Sequence, residues 1–247
     1  MRAHSIRGGA LFTFLLIVAF TFSASSVQAA ELPFSPALVG DAQQVIVVTA
    51  PSFAATEGAL SAYELKGDQW VEVQKPIRAQ LGYGGLVRGD KRRQGTGTTP
   101  TGTYEVTSAF GRKADPGTDL DYVRVDRNDA WTYNPKVPST YNLFQDAPRS
   151  WKSYGKYVEE LWDMGMQYNY VAVLDYNLPQ GEIRSGKNGV RRTNEPANTR
   201  LGGGIFLHVD NGKKTAGCIS IAQPAMRKIL RWLDPDREPM ISIKVIP

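Results

Sequence analysis

Beyond residue 44 the strand-forming residues come in short runs of four to six, each closed by glycine, proline or an Asn/Asp cluster. Runs of that length are too short for helices that bury a face, and they suit strands. Val45–Thr49 is the first run. Leu60–Leu65 and Gln69–Val73 follow as a hairpin about Lys66-Gly67-Asp68. Ile77–Leu81 extends the meander, and Tyr104–Thr107, Val171–Leu174, Ile205–Val209, Cys218–Ile221 and Ile241–Ile246 continue the series. Only two segments show a helical period. In 151–163, Tyr154, Tyr157, Val158, Leu161 and Trp162 fall at i, i+3, i+4, i+7 and i+8. In 224–233, Pro224 opens a helix with Met226, Ile229, Leu230 and Leu233 on one face. The expected fold is therefore mainly β with two short peripheral helices. The 24 glycines and 15 prolines supply its turns. The Asp-, Asn-, Pro- and Tyr-rich stretch 115–150 reads as an extended loop with short strands. A polar, glycine-rich loop is expected from Asn177 to about Gly203.

The first 30 residues read differently. Arg2 and Arg7 precede a thirteen-residue, mostly apolar run, Ala10–Phe22. Val27-Gln28-Ala29 and Ala30 then offer the small residues of a cleavage site, which is the pattern of a secretory signal peptide. Thirteen helical residues reach about 20 Å, short of a hydrocarbon core of about 30 Å. The alternative is an uncleaved anchor extended through Ser23–Ala30. Cleavage after Ala30 leaves residues 31–247. Loss of Arg2 and Arg7 takes the 29 basic residues to 27 against 24 acids, net +3. This mild positive charge suits an anionic envelope polymer and lacks the clustering of a nucleic-acid surface. Lys91-Arg92-Arg93 and Arg191-Arg192 read as solvated loops. Residues 31–44 are expected to be a linker, and 45–247 a single catalytic domain without an integral membrane span.

Cysteine and histidine counts narrow the chemistry. The chain has one cysteine and two histidines, one of them at position 4. That excludes an internal disulfide, a zinc ribbon and an iron–sulfur cluster, and leaves no histidine cage for a metal. No cofactor is expected. A Walker loop is excluded as well, because five residues and not four separate Gly89 from Gly95, and Thr96 stands where lysine is required. Thr99-Pro100-Thr101-Gly102 reads as a turn with Pro100 at its second position.

The exported chain would thus carry one thiol, Cys218, ten residues from its one imidazole, His208. An unpaired thiol in an oxidising compartment is either buried and inert or kept because it reacts. Ile205, Leu207 and Val209 face one side of their strand, Phe206 and His208 the other. Asp210-Asn211-Gly212 is a turn signal. An antiparallel hairpin about Lys213 puts His208 directly across from Cys218, with Cβ atoms about 4.5–5.5 Å apart. A neighbouring imidazolium lowers a thiol pKa from about 8.5 to about 3.5–7.5. The thiolate attacks an amide or ester carbonyl, and His208 moves the proton. The amides of Gly217 and Cys218 are the candidate oxyanion donors, and Gly217 permits close approach of the backbone to substrate. A backbone carbonyl and Asp210 are both open as the group orienting His208. The alternative reading is a core cysteine beside a hydrogen-bonded histidine.

His208 followed by Thr215-Ala216-Gly217-Cys218-Ile219-Ser220 resembles the active-site signature of the L,D-transpeptidase catalytic domain family (YkuD/ErfK type). Gly82-Tyr83-Gly84-Gly85, Gly95 and Thr99-Pro100-Thr101-Gly102 are similar to the family's Gly-rich and Thr-Pro-x-Gly stretch. Trp131 and the segment with Leu161-Trp162 resemble a branch with a longer insertion. The resemblance spans about residues 45–246. It implies a sandwich or barrel-like sheet, Cys218 as nucleophile, His208 as general base, and peptidoglycan stem peptides as partners. The donor tetrapeptide would be cut after its third residue with release of D-Ala, and the acyl group passed to a stem amine, a D-amino acid or water. Thr215 and Ser220 match positions lining the family's substrate pocket. Arg200, with Arg191 and Arg192 behind it, is a candidate to hold a substrate carboxylate. The sequence departs from the pattern at Ala216, where many members have histidine, at Ser220, where many have Arg or Asn, and in the ten-residue gap. An L,D-carboxypeptidase and an inactive wall-binding module are the other readings.

Overall fold

The computed structural model describes residues 32–146 and 151–246. The signal peptide expected over 1–30 lies outside the described residues. The strands are β1 (Gln44–Ala50), β2 (Glu57–Lys66), β3 (Gln69–Gln80), β4 (Leu86–Arg88), β5 (Thr99–Gly111), β6 (Tyr122–Arg124), β7 (Ala130–Thr132), β8 (Leu143–Gln145), β9 (Val158–Glu160), β10 (Val171–Leu174), β11 (Ile183–Ser185), β12 (Arg191–Thr193), β13 (Phe206–Val209), β14 (Ile219–Ile221) and β15 (Met240–Val245). The α-helix α1 spans Gln223–Trp232.

The main sheet runs β10-β13-β14-β3-β2-β1-β15-β5, and β10 pairs β5 as well, which closes the sheet into a barrel. The mainly β, barrel-like expectation holds. The pairing leaves neither β10 nor β5 with an open edge along Val171–Leu174, and open edges are the usual liability of a sheet. β1 is buried on both faces. Ile46, Val48 and Ala50 enter the central core with Leu60, Leu81, Leu207, Ile219, Ile221 and Ile243. Val45 and Val47 face outward and are covered by Phe34, Val39 and Ala42. The segment expected to be a linker is thus a packed flap over β1, because a strand alternating apolar residues on both faces must be covered twice. Phe34 stands edge-on to Trp70, ring centres 5.0 Å apart. Helix α1 follows its pattern: Met226, Ile229 and Leu230 are buried in the central core, and Leu233 caps the stripe. Each such side chain contributes about 1.5–3 kcal/mol when fully buried.

Two local readings are corrected. Residues 151–163 do not form an amphipathic helix. Lys152–Tyr157 is a 3-10 stretch interrupted by Gly155 at φ 55°, ψ −124°, and the chain then extends into β9. β9 pairs with β7 in the register Ala130↔Glu160, Trp131↔Glu159, Thr132↔Val158. A ladder to a partner some 28 residues upstream outweighs a weak helical period. Thr99–Gly102 is not a turn either. Pro100 lies in β5, where its neighbour β4 runs parallel with Val87 opposite, and a proline near the start of a strand needs no donor there. Gly102 takes φ 148° and leaves room for the Tyr104 hydroxyl, which a Cβ would meet at 2.6 Å.

Candidate active site

β13 carries the histidine. Its alternation places Leu207 and Val209 in the central core, and Phe206 on the opposite face in a second cluster with Phe110, Trp131, Tyr168 and Cys218. After β13 the chain reverses as expected: Gly212 N–H donates to Asp210 Oδ1 (2.8 Å) and Lys213 N–H to Asn211 Oδ1 (3.0 Å), with Gly212 at φ 80°. The return segment, however, does not pair with β13. It lies along the end of β3, where Thr215 N–H donates to Leu81 O and Tyr83 N–H to Thr215 O. The chain then turns again, and β14 enters parallel to β13 in the register Leu207↔Ile219, His208↔Ser220, Val209↔Ile221. The antiparallel hairpin is therefore wrong. His208 faces Ser220, not Cys218. Continuing the register puts Cys218 beside Phe206, so thiol and imidazole share a sheet face on adjacent strands, one diagonal step apart. Diagonal neighbours stand about 7–8 Å apart, within reach of long side chains.

Both groups are held from outside the pair. Cys218, 8% exposed, donates to Gly204 O (3.2 Å), and its Sγ accepts from Phe206 N–H (3.4 Å). His208, 5% exposed, has Nδ1 2.9 Å from Val209 O. A carbonyl only accepts, so the neutral ring carries its proton on Nδ1 and its lone pair on Nε2. The backbone carbonyl thus orients the imidazole. Asp210 contributes through its charge, which favours the protonated ring. Burial dominates both titrations. It pushes His208 down to about 4 against the opposing pull of Val209 O and Asp210. It pushes the Cys218 thiol up to about 12, with the Glu159 charge adding to the shift and the Phe206 amide and Arg92 opposing it. The resting pair is neutral thiol and neutral imidazole. The expected lowering of the thiol pKa by an imidazolium is not met, since desolvation penalises both charged forms.

The loop before Cys218 is braced by Thr215. Its hydroxyl donates to Cys218 O (2.6 Å) and accepts from Gly217 N–H (3.1 Å). Two sequence assignments change as a result. Thr215 is committed to the loop and is not part of the cavity wall. The Gly217 amide is engaged by Thr215 instead of facing a substrate oxygen, which leaves the Cys218 amide as the oxyanion candidate in this loop. Gly217 is needed for a different close approach: at φ 135° a Cβ there would meet Arg92 Nη2 and Thr98 O, both at 2.8 Å. Ser220 is enclosed, and its Oγ has no partner among the described residues, so it does not line the cavity. Arg200 is exposed and serves through its backbone, N–H to Asn198 Oδ1 and O from Gln94 N–H. Arg191 and Arg192 also lie away from the Cys218 cavity, Arg192 Nη1 donating to Ser139 Oγ.

Cys218 opens into a cavity of about 530 Å³ walled by Tyr83, Arg92, Gln94, Tyr133, Glu159 and Gly204, among others. Arg92 was read as a solvated loop residue, yet it is only 4% exposed. Its Nε donates to Thr98 O (2.8 Å), Nη1 to Leu201 O (2.8 Å) and Nη2 to Ala216 O (3.4 Å). Its planar fork ties three separate loops around the nucleophile. The second residue missed is Asn142, fully buried at φ 59°. Its Oδ1 accepts from Trp131 Nε1–H and Gly204 N–H, both 2.8 Å, and its Nδ2 donates to Tyr176 O and Asn177 O. It thereby fixes the Gly204 carbonyl that holds the thiol. An asparagine in a Tyr/Asn-rich loop offers a general turn signal and no hint of this role.

Among the described residues no group of three or more His, Cys, Asp or Glu is placed to hold a metal, and no helix is long and apolar enough to cross a membrane.

The chain belongs to the YkuD family of L,D-transpeptidase catalytic domains, which it matches over residues 63–245. Among solved structures it is similar to the helical cell shape determining protein Pgp2 from Campylobacter jejuni, with 15% identity and a TM-score of 0.38, covering 85% of this chain and 54% of that one. A mutant of the same protein gives 15% identity and a TM-score of 0.39, covering 84% and 48%. The chain spans about half the length of these structures. No curated protein matches it in sequence.

Proposed function

We propose that this protein is an exported, cysteine-dependent peptidoglycan L,D-transpeptidase. The observation that carries the reading is the pairing of a cavity-lining thiol, Cys218, with His208 on the same sheet face, its Nδ1 tied to Val209 O so that Nε2 is the free base. A stem tetrapeptide enters the cavity with its third residue's carbonyl over Cys218. The thiol proton passes to His208 Nε2 as sulfur attacks the carbonyl carbon. The oxyanion forms next to the Cys218 amide. Collapse breaks the amide bond, His208 returns the proton to the departing amine, and D-Ala leaves with a thioester on Cys218. An acceptor amine then gives up a proton to His208, attacks the thioester and restores the thiol. With water as acceptor the same steps give a carboxypeptidase.

Both resting groups are neutral, so charge separation belongs to the substrate complex, where bound substrate displaces water from the cavity and strengthens local electrostatics. The membership in the YkuD family supports peptidoglycan as the substrate. The sequence pattern of residues 1–30 supports export.

The test incubates the purified protein with disaccharide-tetrapeptide and reads the products by mass. D-Ala loss with a cross-linked dimer is the expected result. Loss without a dimer assigns hydrolysis, and binding without any reaction assigns a wall-binding module and overturns the enzyme reading.

A further inference from the structure

Glu159 takes no part in the steps above, yet it faces the same cavity as Cys218. Its position is built. β9 pairs it across from Trp131, whose ring packs edge-on to Phe206 at 4.9 Å in the cluster that contains Cys218. Tyr168 donates its hydroxyl to Glu159 Oε2 at 2.6 Å. The Tyr168 ring is itself held by Phe110, Phe206 and His208, with centres 5.6, 6.0 and 5.6 Å away. The carboxylate is therefore fixed from behind by an immobile phenol.

The cavity's two other charged groups do not neutralise it. Arg92 spends its guanidinium on three backbone carbonyls, and the Lys156 ammonium sits over the Tyr157 ring at 5.4 Å. Among the described residues Glu159 makes no salt bridge. Burial pushes the Glu159 carboxyl up, with the Tyr168 hydrogen bond opposing, and the ionised group in turn opposes ionisation of the Cys218 thiol. A cation seated on Glu159 cancels that opposition at the moment substrate is bound.

We propose that Glu159, braced by Tyr168, anchors a free ammonium group of the substrate next to Cys218. The inference rests on the reading of the cavity as the acyl-transfer site. The shared chemistry is a primary ammonium within the cavity, borne either by the side chain of a diamino-acid donor residue or by the incoming acceptor amine.

The test measures binding by calorimetry to the full chain carrying Cys218→Ala, which needs no turnover. Ligands are a disaccharide-tetrapeptide with a free diamino-acid amine, the same peptide acetylated on that amine, and a D-amino acid with and without its amino group. Loss of the amine that Glu159 holds weakens binding about tenfold or more, the weight of a charge-assisted hydrogen bond. Adding Glu159→Gln, which keeps an oxygen for Tyr168 and removes the charge, makes the paired ligands bind alike. The ligand pair that shows the effect identifies the amine's source. Should the glutamine variant fail to fold, Glu159→Asp withdraws the charge by one methylene and reduces the same discrimination. Equal affinity for free and blocked amines, or discrimination that survives both substitutions, overturns the inference. When wild-type protein still turns over tetrapeptide in that case, only the role of Glu159 falls. When no peptide binds and none is turned over, the acyl-transfer reading falls with it.

Discussion

Replacing Asn142 with alanine tests the framework around the thiol. The side chain makes four hydrogen bonds in a fully buried position: Oδ1 to Trp131 Nε1–H and Gly204 N–H at 2.8 Å, and Nδ2 to Tyr176 O at 3.2 Å and Asn177 O at 2.7 Å. Truncation orphans two buried donors, each costing about 1–3 kcal/mol. The two carbonyls add less, since one water in the vacated space can serve part of the set. At φ 59° alanine also loses the local tolerance that asparagine has for the left-handed region, about 1 kcal/mol. The expected loss is about 3–5 kcal/mol. With a urea slope of about 2–3 kcal/mol/M for a domain of this size, the unfolding midpoint followed by tryptophan fluorescence falls by roughly 1–2.5 M. Asn142→Asp is expected to be similarly harmful, because it keeps the two acceptor bonds but points a carboxylate oxygen at two carbonyls. Below its own midpoint, each variant also loses turnover, since Gly204 O no longer holds the thiol. A midpoint within about 0.3 M of wild type for the alanine variant would refute the account of this network.

The remaining predictions concern the pair itself. Cys218→Ala abolishes turnover in the product assay and lowers the melting temperature only slightly, because the small side chain gives up two weak sulfur contacts, to Gly204 O and from Phe206 N–H; residual turnover would refute the nucleophile. Alkylation of Cys218 by iodoacetamide stays slow at pH 7 and keeps rising above pH 9, as a thiol pushed up to about 12 requires; a plateau reached between pH 5 and 7 would indicate a resting thiolate. His208 is lowered to about 4 in the folded state, whereas an unfolded histidine titrates near 6.5. The unfolded chain therefore binds more protons between those values, and stability falls as pH drops from about 6.5 to about 4, by up to about 3 kcal/mol. His208→Gln flattens that part of the curve, and an equally steep curve in the variant would place the titration elsewhere. Gly217→Ala, with φ 135° and two contacts at 2.8 Å, is expected to destabilise by more than 2 kcal/mol in urea unfolding; a neutral effect would show that the loop relaxes freely.

Much of the architecture is local and was therefore legible. The short apolar run Val45–Thr49 and the run Ile205–Val209 were assigned as strands, and the two-residue period of the second sorted Phe206 and His208 onto the face opposite Leu207 and Val209. Pro224 and the spacing of Met226, Ile229 and Leu230 defined α1. The single cysteine and the single late histidine marked the candidate pair, because those residues are informative by their scarcity alone. The partnering of strands was beyond reach. A nine-residue connection between β13 and β14 is long enough for a hairpin loop or for a return along a third strand, and the choice is made by Leu81 and Tyr83 receiving Thr215. The same holds for 151–163, where β7 supplies the ladder that a helical period cannot foresee. Arg92 and Asn142 gain their places through partners 62 to 124 residues away, and Glu159 gains its place through the pairing with Trp131 on β7. The charge state of the thiol and imidazole follows from burial, a property of the assembled barrel that no spacing of residues along a chain contains.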